Sequence, residues 1–300
     1  MTTVYKAKRA AVKLLAEDQP EDGQSPQELK FAINYLSFFG YIGLHLLKNL
    51  TVEDLRTAAK AFQRWFGLKP DGIVGAKTVR AMQEPRCGCP DILDKDKEEH
   101  AEYLQMQELV AEKKIKWSKT RLTYAIDGHL TGLPKALQAE MISAAFNSWT
   151  SLIDLEIHRC SIRKVKDADI VIGVGSGKTH RFDGRGGTLA WAYLPHNDKQ
   201  LRMRFDLAET WVKAPFERGI HLQTVAAHEI GHLLGLKHSK AKGALMAPYY
   251  NPFVGKPQVK DDISRIQSLY GASGLPESLT RPPDRVVELN AGERMLVIGK

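Results

Sequence analysis

Residues 225–239 read VAAHEIGHLLGLKHS, and the spacing of their histidines organises the rest of the chain. His228 and His232 stand four positions apart on a run of helix-forming residues. A helix turns about 100° per residue, so side chains at i and i+4 lie one above the other on one face, and two imidazoles placed this way reach one metal ion. Glu229 sits beside the first of them, where a carboxylate can polarise a metal-bound water. Gly235 can adopt the left-handed conformation that ends a helix, which lets the chain bring His238 back as a third nitrogen ligand. Three histidines with a fourth position left for water describe a catalytic zinc site rather than a closed structural one. A bare H-E-x-x-H also occurs on exposed amphipathic helices. Extended to H-E-x-x-H-x-x-G-x-x-H, chance becomes a poor explanation.

The 300-residue chain is long enough for one or two packed domains, and its 43% hydrophobic and 26% charged composition is that of an ordinary globular protein. The net charge of +8 comes from basic residues scattered among acids. No lysine or arginine block is interleaved with aromatics, so no nucleic-acid partner is expected. No run of about 18 apolar residues offers a membrane span. Three cysteines, Cys87, Cys89 and Cys160, are too few and odd in number for a disulfide scaffold. The first 23 residues are basic but lack the apolar core of a signal peptide, so no leader is visible there.

Upstream of the histidines, residues 1–24 read as an N-terminal extension holding a short helix and a polar break. From Ser25 the pattern turns helical: Leu29, Ile33, Leu36 and Phe39 recur at helical spacing, with Gly40 as a stop. Thr51 and Asp54 have the spacing of a capping box for a second helix, from Val52 to about Phe66, with Leu55, Ala58, Ala59, Phe62 and Phe66 on one face. A third short helix follows a Gly-rich turn, giving a small three-helix domain over residues 25–91. That domain ends in PRCGCPD, 85–91. A thiolate is a strong soft ligand for zinc, and in a chain that also carries three histidines Cys87 reads as an inhibitory thiol filling the position water needs. Cys89 stays an unexplained second candidate. Residues 92–116 form a charged linker with a partial apolar stripe, and Lys113, Lys114 and Lys116 are plausible cleavage points there.

A larger α+β domain is expected over residues 117–272. RLTYAIDG, IDLEIHRC, ADIVIGVG, TLAWAYLP and LRMRFDLA are short strands. The stretch LPKALQAEMISAAFNSWTSL is an amphipathic helix with Leu137, Met141, Ala144, Ala145 and Trp149 on one face. The histidine helix comes next and DDISRIQSLYG closes the domain. Residues 273–300 form a tail with a Pro-rich start.

Four motifs taken in order now resemble matrixin (matrix metalloproteinase) sequences. PRCGCPD resembles the family's cysteine switch, FDGRGGTLAWAYLP at 182–195 its calcium loop and upper-rim strand, HEIGHLLGLKHS its zinc signature, and ALMAPYY its Met-turn. FQRWFGLKPDGIVGAKTVRAM is similar to the peptidoglycan-binding-like domains found in matrixin propeptides. The resemblance implies a metzincin fold with a five-stranded twisted sheet and three helices. It implies a secreted zinc endopeptidase made as a latent proenzyme and acting on protein substrates, with a monomer expected. His228, His232 and His238 would bind one catalytic zinc, Glu229 would be the general base, and Cys87 the inhibitory ligand, with Arg86 and Asp91 paired around it. Met246 would form the floor beneath the histidines. Ala190 and Ala192 would lie on the substrate-binding edge strand, with Pro248 and Tyr250 in the specificity wall. Asp183, Asp206 and Glu209, with carbonyls of Gly184, Gly186 and Thr188, would hold calcium. At the family's structural-zinc positions this chain has Ser176, Lys178, Trp191 and Arg204, so no second zinc is expected there; His180 and His196 lie nearby in sequence. Two further readings stand beside the protease: a cell-wall enzyme whose N-terminal module binds glycan, and a non-catalytic binding protein on a protease scaffold.

Overall fold

In a computed structural model, residues 25–92, 115–177 and 180–274 are described. The readings for the N-terminal extension, for most of the charged linker, for Lys178 and for the tail beyond 274 lie outside those residues. The N-terminal domain opens with α1, Pro26–Phe38. Its start is set by a capping box in which Ser25 and Glu28 satisfy each other's backbone N–H groups. A 3-10 turn at Leu44–Lys48 leads to α2, Val52–Trp65, capped in the same way by Thr51 and Asp54. The short α3, Ala76–Met82, completes it. Leu29, Ile33, Leu36, Leu55, Ala58 and Phe62 from the helical stripes are buried in one core with Val79 and Met82.

The chain then runs extended through β1, Arg86–Cys87. The second domain contributes β2, Arg121–Asp127, then α4, Lys135–Thr150, and β3, Glu156–Arg159. Next come β4, Ile170–Gly175, β5, Thr188–Ala192, and β6, Leu201–Asp206. The sheet order is β1-β5-β6-β4-β2-β3. Strands β6, β4, β2 and β3 run parallel, and β5 is antiparallel to β6. Parallel neighbours need long crossovers, and α4 supplies the one from β2 to β3. The five strands expected from alternation are therefore present, and β1 from the N-terminal domain adds a sixth beside β5. A two-stranded ribbon, β7 at Trp211–Val212 and β8 at Ile220–His221, was not legible because neither strand exceeds two residues.

The helix α5, Leu222–Leu233, carries the first two histidines, and α6, Lys260–Tyr270, closes the domain. Helices α4 and α5 pack together beneath the sheet. The Trp149 indole N–H donates to the Ala227 carbonyl at 2.7 Å. Trp149 is fully buried and reaches Gly231, where an added Cβ would lie 2.3 Å from the Met246 sulfur. Glycine at 231 is therefore a packing requirement: it lets the methionine sit directly against α5. The helix ends at Gly235, whose φ of 100° is the left-handed conformation expected there. It turns the chain so that His238 returns toward the first two histidines.

Candidate metal centre

The three imidazoles have their outer nitrogens committed. His228 Nδ1 lies 2.7 Å from the Leu245 carbonyl, His232 Nδ1 2.7 Å from the Leu236 carbonyl, and His238 Nδ1 2.8 Å from Asp91 Oδ1. A carbonyl can only accept, and so can an ionised carboxylate. In the neutral imidazole each Nδ1 therefore carries the proton, and each Nε2 keeps a bare lone pair. His228 Nε2 and His238 Nε2 are buried with no hydrogen-bond partner. One ligand atom from each of the three histidines and the Cys87 sulfur lie within 4.8 Å of one another, and Cys87 Sγ is 3.4 Å from His232 Nε2. Tetrahedral zinc with nitrogen at about 2.0–2.1 Å and sulfur at about 2.3 Å needs ligand-to-ligand edges of about 3.3–3.6 Å. The one ligand edge measured, 3.4 Å, falls in that range, and a donor set of three imidazole nitrogens and one sulfur within 4.8 Å fits a divalent metal of zinc's size and softness.

The sulfur comes from the N-terminal domain. Strand β1 runs parallel to β5, pairing Arg86 with Thr188 and Cys87 with Ala190. Arg86 N–H donates to the Gly187 carbonyl, Cys87 N–H to Pro248 and Gly88 N–H to Ala190, while Tyr250 N–H donates back to Pro85. The segment is held on both sides, by the β5 edge and by residues 248–250. Behind it Arg86 is 1% exposed and pairs with Asp91 at 2.6 Å. Its guanidinium lies 3.6 Å from the Phe39 ring centre and donates to the Tyr35 hydroxyl. Burial alone would raise the Asp91 carboxyl, but Arg86 and the His238 hydrogen bond outweigh it and hold Asp91 well below the usual carboxylate range. Asp91 thus does two things, one of them not visible in the motif: it neutralises Arg86 and orients the His238 ring.

Glu229 is fully buried beside the cluster, and its Oε1 has no partner. Burial first, then the neighbouring Cys89, pushes its carboxyl up to about 8. Burial also pushes the Cys87 thiol up; a cation bound by the histidines would reverse that and favour the thiolate. Cys89 turns into the same place, its Sγ 3.2 Å from the Ala192 carbonyl and 3.9 Å from Glu229 Oε2. Below the histidines Met246 is fully buried. Its turn is tied down by Asp262 at the start of α6, which accepts from Leu245 N–H at 2.6 Å and Met246 N–H at 3.3 Å. Sequence reading passed over Asp262. Its only signal was a second aspartate in the first turn of a helix whose apolar stripe was otherwise regular.

Pro248 and Tyr250 line a cleft with Cys87, Leu189, Val225 and His228. The Tyr250 hydroxyl accepts from His221 N–H at 2.7 Å. The carbonyls of Ala190 and Ala192 on β5 are occupied by Gly88 N–H and Cys89 Sγ. Tyr249, not singled out from sequence, packs on Phe66 with ring centres 4.4 Å apart and planes tilted by 45°, and donates to the Ala81 carbonyl.

Beyond the β5 edge, Asp183 accepts from Thr188 N–H at 2.8 Å and Glu209 from Gly186 N–H at 2.6 Å. A Cβ at Gly187 would lie 2.2 Å from Asp183 Oδ2, so only glycine leaves room for that carboxylate. Asp206 is fully buried and its Oδ2 has no partner. Burial, and after it the other acids, raises both Asp206 and Glu209. Among the described residues these three carboxylates do not form a group whose ligand atoms all lie within 4.8 Å of one another. At the positions where the sequence departs from the family's structural zinc, the Trp191 indole donates to the His180 carbonyl and Arg204 to the Val174 carbonyl. Among the described residues His180 and His196 join no cluster of three metal-binding side chains.

Residues 116–271 match the matrixin family model, and residues 25–82 match that of a putative peptidoglycan binding domain. The chain is 35% identical to matrix metalloproteinase-18 of Xenopus laevis over 275 residues, covering 89% of this chain and 55% of that protein. It is 39% identical to interstitial collagenase of Equus caballus over 222 residues, covering 72% and 43%. Against macrophage metalloelastase of Rattus norvegicus the identity is 34% over 269 residues, covering 87% and 54%. The chain spans about half the length of these relatives.

Proposed function

Since the chain belongs to the matrixin family, we propose that it is a zinc-dependent endopeptidase held latent by Cys87. The observation that carries this reading is the convergence of three Nε2 lone pairs and one thiol on a single point. His228, His232 and His238 would hold the ion, and Cys87 would take the fourth position, from which it has to withdraw before a water can enter. Zinc bound there would lower the pKa of a water to about 7 and polarise a peptide carbonyl. Glu229 takes the proton of the attacking water and passes it to the departing amine nitrogen.

Substrate would replace the segment 86–89 beside β5, bonding its backbone to the carbonyls of Ala190 and Ala192, with a side chain in the cleft walled by Pro248 and Tyr250. Met246 supports the histidines by packing. Asp183, Asp206 and Glu209, with carbonyls from Gly184, Gly186 and Thr188, hold calcium and steady the loop before β5. The substrates are proteins and the site of action is extracellular. The aromatic and ionic contacts of the N-terminal domain favour a lid over a glycan-targeting module; retention of the isolated full chain on insoluble peptidoglycan would reverse that preference.

Two substitutions test the reading. Glu229→Ala is expected to lower hydrolysis of a quenched peptide by at least three orders of magnitude while elemental analysis still finds one zinc per chain; an active Glu229→Ala enzyme overturns the mechanism. Cys87→Ser is expected to make the uncut chain active. If it stays latent while Cys89→Ser becomes active, the inhibitory thiol is Cys89.

A further inference from the structure

Cys89 has no part in the function proposed above, yet it is buried in one cluster with Cys87, Phe182 and Trp191. Strand β1 ends at Cys87 and the chain bends at Gly88 and Cys89, which brings the two thiols together. Their sulfurs lie within 4.8 Å of each other, and Cys89 N–H donates to Cys87 Sγ at 3.2 Å. One sulfur faces His232 at 3.4 Å and the other faces Glu229 at 3.9 Å. The pair therefore covers the metal ligands and the general base at once. Cys160, the remaining cysteine, packs in a separate apolar cluster with Ala125, Ala168 and Val171.

We propose that Cys87 and Cys89 are a redox pair whose oxidation to an intramolecular disulfide withdraws Cys87 from the metal position and relieves latency without chain cleavage. The proposal rests on Cys87 being the inhibitory ligand. A disulfide needs about 2.05 Å between sulfurs and about 3.5–4.5 Å between β-carbons. The chain already bends at Gly88, the single residue between them, so closing the present gap requires rotation of both side chains, and the new bond holds the Cys87 sulfur toward its neighbour instead of the histidines. A peroxide is the oxidant by class, and it is small enough to enter the cleft that Cys87 lines. One thiol, as thiolate, attacks a peroxide oxygen; the O–O bond breaks, one water forms and the sulfur becomes a sulfenic acid. The second thiol attacks that sulfur, the S–O bond breaks, and a second water leaves. Two thiols and one peroxide give one disulfide and two waters, with two electrons passing from sulfur to oxygen.

The test is stoichiometric hydrogen peroxide added to the full-length, zinc-loaded chain, followed by non-reducing peptide mass mapping and, in parallel, by peptide hydrolysis. The expected result is an uncut chain lighter by two hydrogens, with the loss confined to the peptide that holds residues 87 and 89. Hydrolysis rises by an order of magnitude, and a phosphine reductant restores both the mass and the latency. Cys89→Val is expected to lose no hydrogens and to gain oxygen at Cys87 instead, which the phosphine does not remove once sulfinic acid has formed. Oxygen adducts on wild-type Cys87 with Cys89 untouched overturn the redox pair, and so does an 87–89 disulfide in a chain that stays latent. Cys87→Ser separates the two readings. If that variant is latent, the inhibitory assignment fails with the redox pair; if it is active and wild type forms no 87–89 bond, the redox pair fails alone.

Discussion

Arg86 and Asp91 form an ion pair with side chains 2% and 0% exposed. Two buried charges gain little over a well-packed apolar pair, but removing one leaves the other uncompensated, at a cost of about 3–5 kcal/mol. That cost falls where the N-terminal domain meets the cleft, since Asp91 also accepts from His238 Nδ1 and from the Tyr41 hydroxyl. Arg86→Ala is therefore expected to loosen the Cys87 segment more than the body beneath it. The uncut variant should hydrolyse peptide measurably while the melting transition of the larger domain stays near the wild-type value. An Arg86→Ala chain as latent as wild type would show that backbone pairing to β5 and Pro248 holds the segment unaided. Residues differ in how openly the sequence declares them. His228, His232 and His238 are legible because helix periodicity and one glycine suffice to bring them together. The Asp91–His238 contact joins positions 147 apart, and no local periodicity encodes a pairing made only when two domains dock.

Among the elements, the edge strand β5 does most to define the site: β6 pairs with one side of it and β1 covers the other. Four strands of the larger domain were legible because each is half or fully buried and alternates or runs apolar; β3 is mostly exposed, and only the alternation of the stretch leading into it marked it. Strand β1 was not legible, since two residues carry no pattern and its partner lies about 100 positions away. Strands β2 and β4 are pinned at one end by Asp169, which accepts from Thr123 N–H at 2.7 Å and pairs with Lys119 at 2.5 Å. Burial would raise this carboxyl, but the Lys119 and Thr123 bonds outweigh it and hold it low. A carboxyl with a depressed folded pKa contributes stability that is fully present above its unfolded value, about 3.9, and is lost as pH falls through the lower folded one. Asp169→Asn keeps the shape and removes the charge. It is expected to cost about 1–3 kcal/mol at neutral pH, with the gap from wild type constant down to about pH 5 and closing below about pH 4. Denaturant melts of the two proteins at several pH values check this. A gap that widens in acid would mean the carboxylate is not what ties the strands.

At the scale of the whole molecule, two separately cored domains meet at a small buried cluster of Cys87, Cys89, Phe182 and Trp191, so the connection between them decides where activation can occur. Three lysines were candidates for cleavage. Lys113 and Lys114 lie outside the described residues; Lys116 does not, and its surroundings argue against it. Its ammonium donates to the Leu269 carbonyl at 2.9 Å, and the next residue, Trp117, is 2% exposed. The Trp117 indole donates to Leu233 at 2.8 Å, and its backbone N–H donates to the Tyr270 hydroxyl at 3.1 Å. Ile115 is equally constrained, because its carbonyl oxygen lies 2.1 Å from where a Cβ on Gly235 would stand. A protease needs several residues extended in its own cleft, and cutting after Lys116 would require pulling a buried tryptophan off the end of the histidine helix. Fully burying a large apolar side chain is worth about 1.5–3 kcal/mol, and the two hydrogen bonds add to that. Limited digestion with a lysine-directed protease is thus expected to leave an active fragment that begins at or before Ile115 and keeps Trp117 in place, read by N-terminal sequencing. Trp117→Ala should weaken this protection, so that cuts after Lys116 appear and the melting temperature of the larger domain falls. A wild-type fragment beginning at Trp117 would mean that this anchor opens readily in the uncut chain.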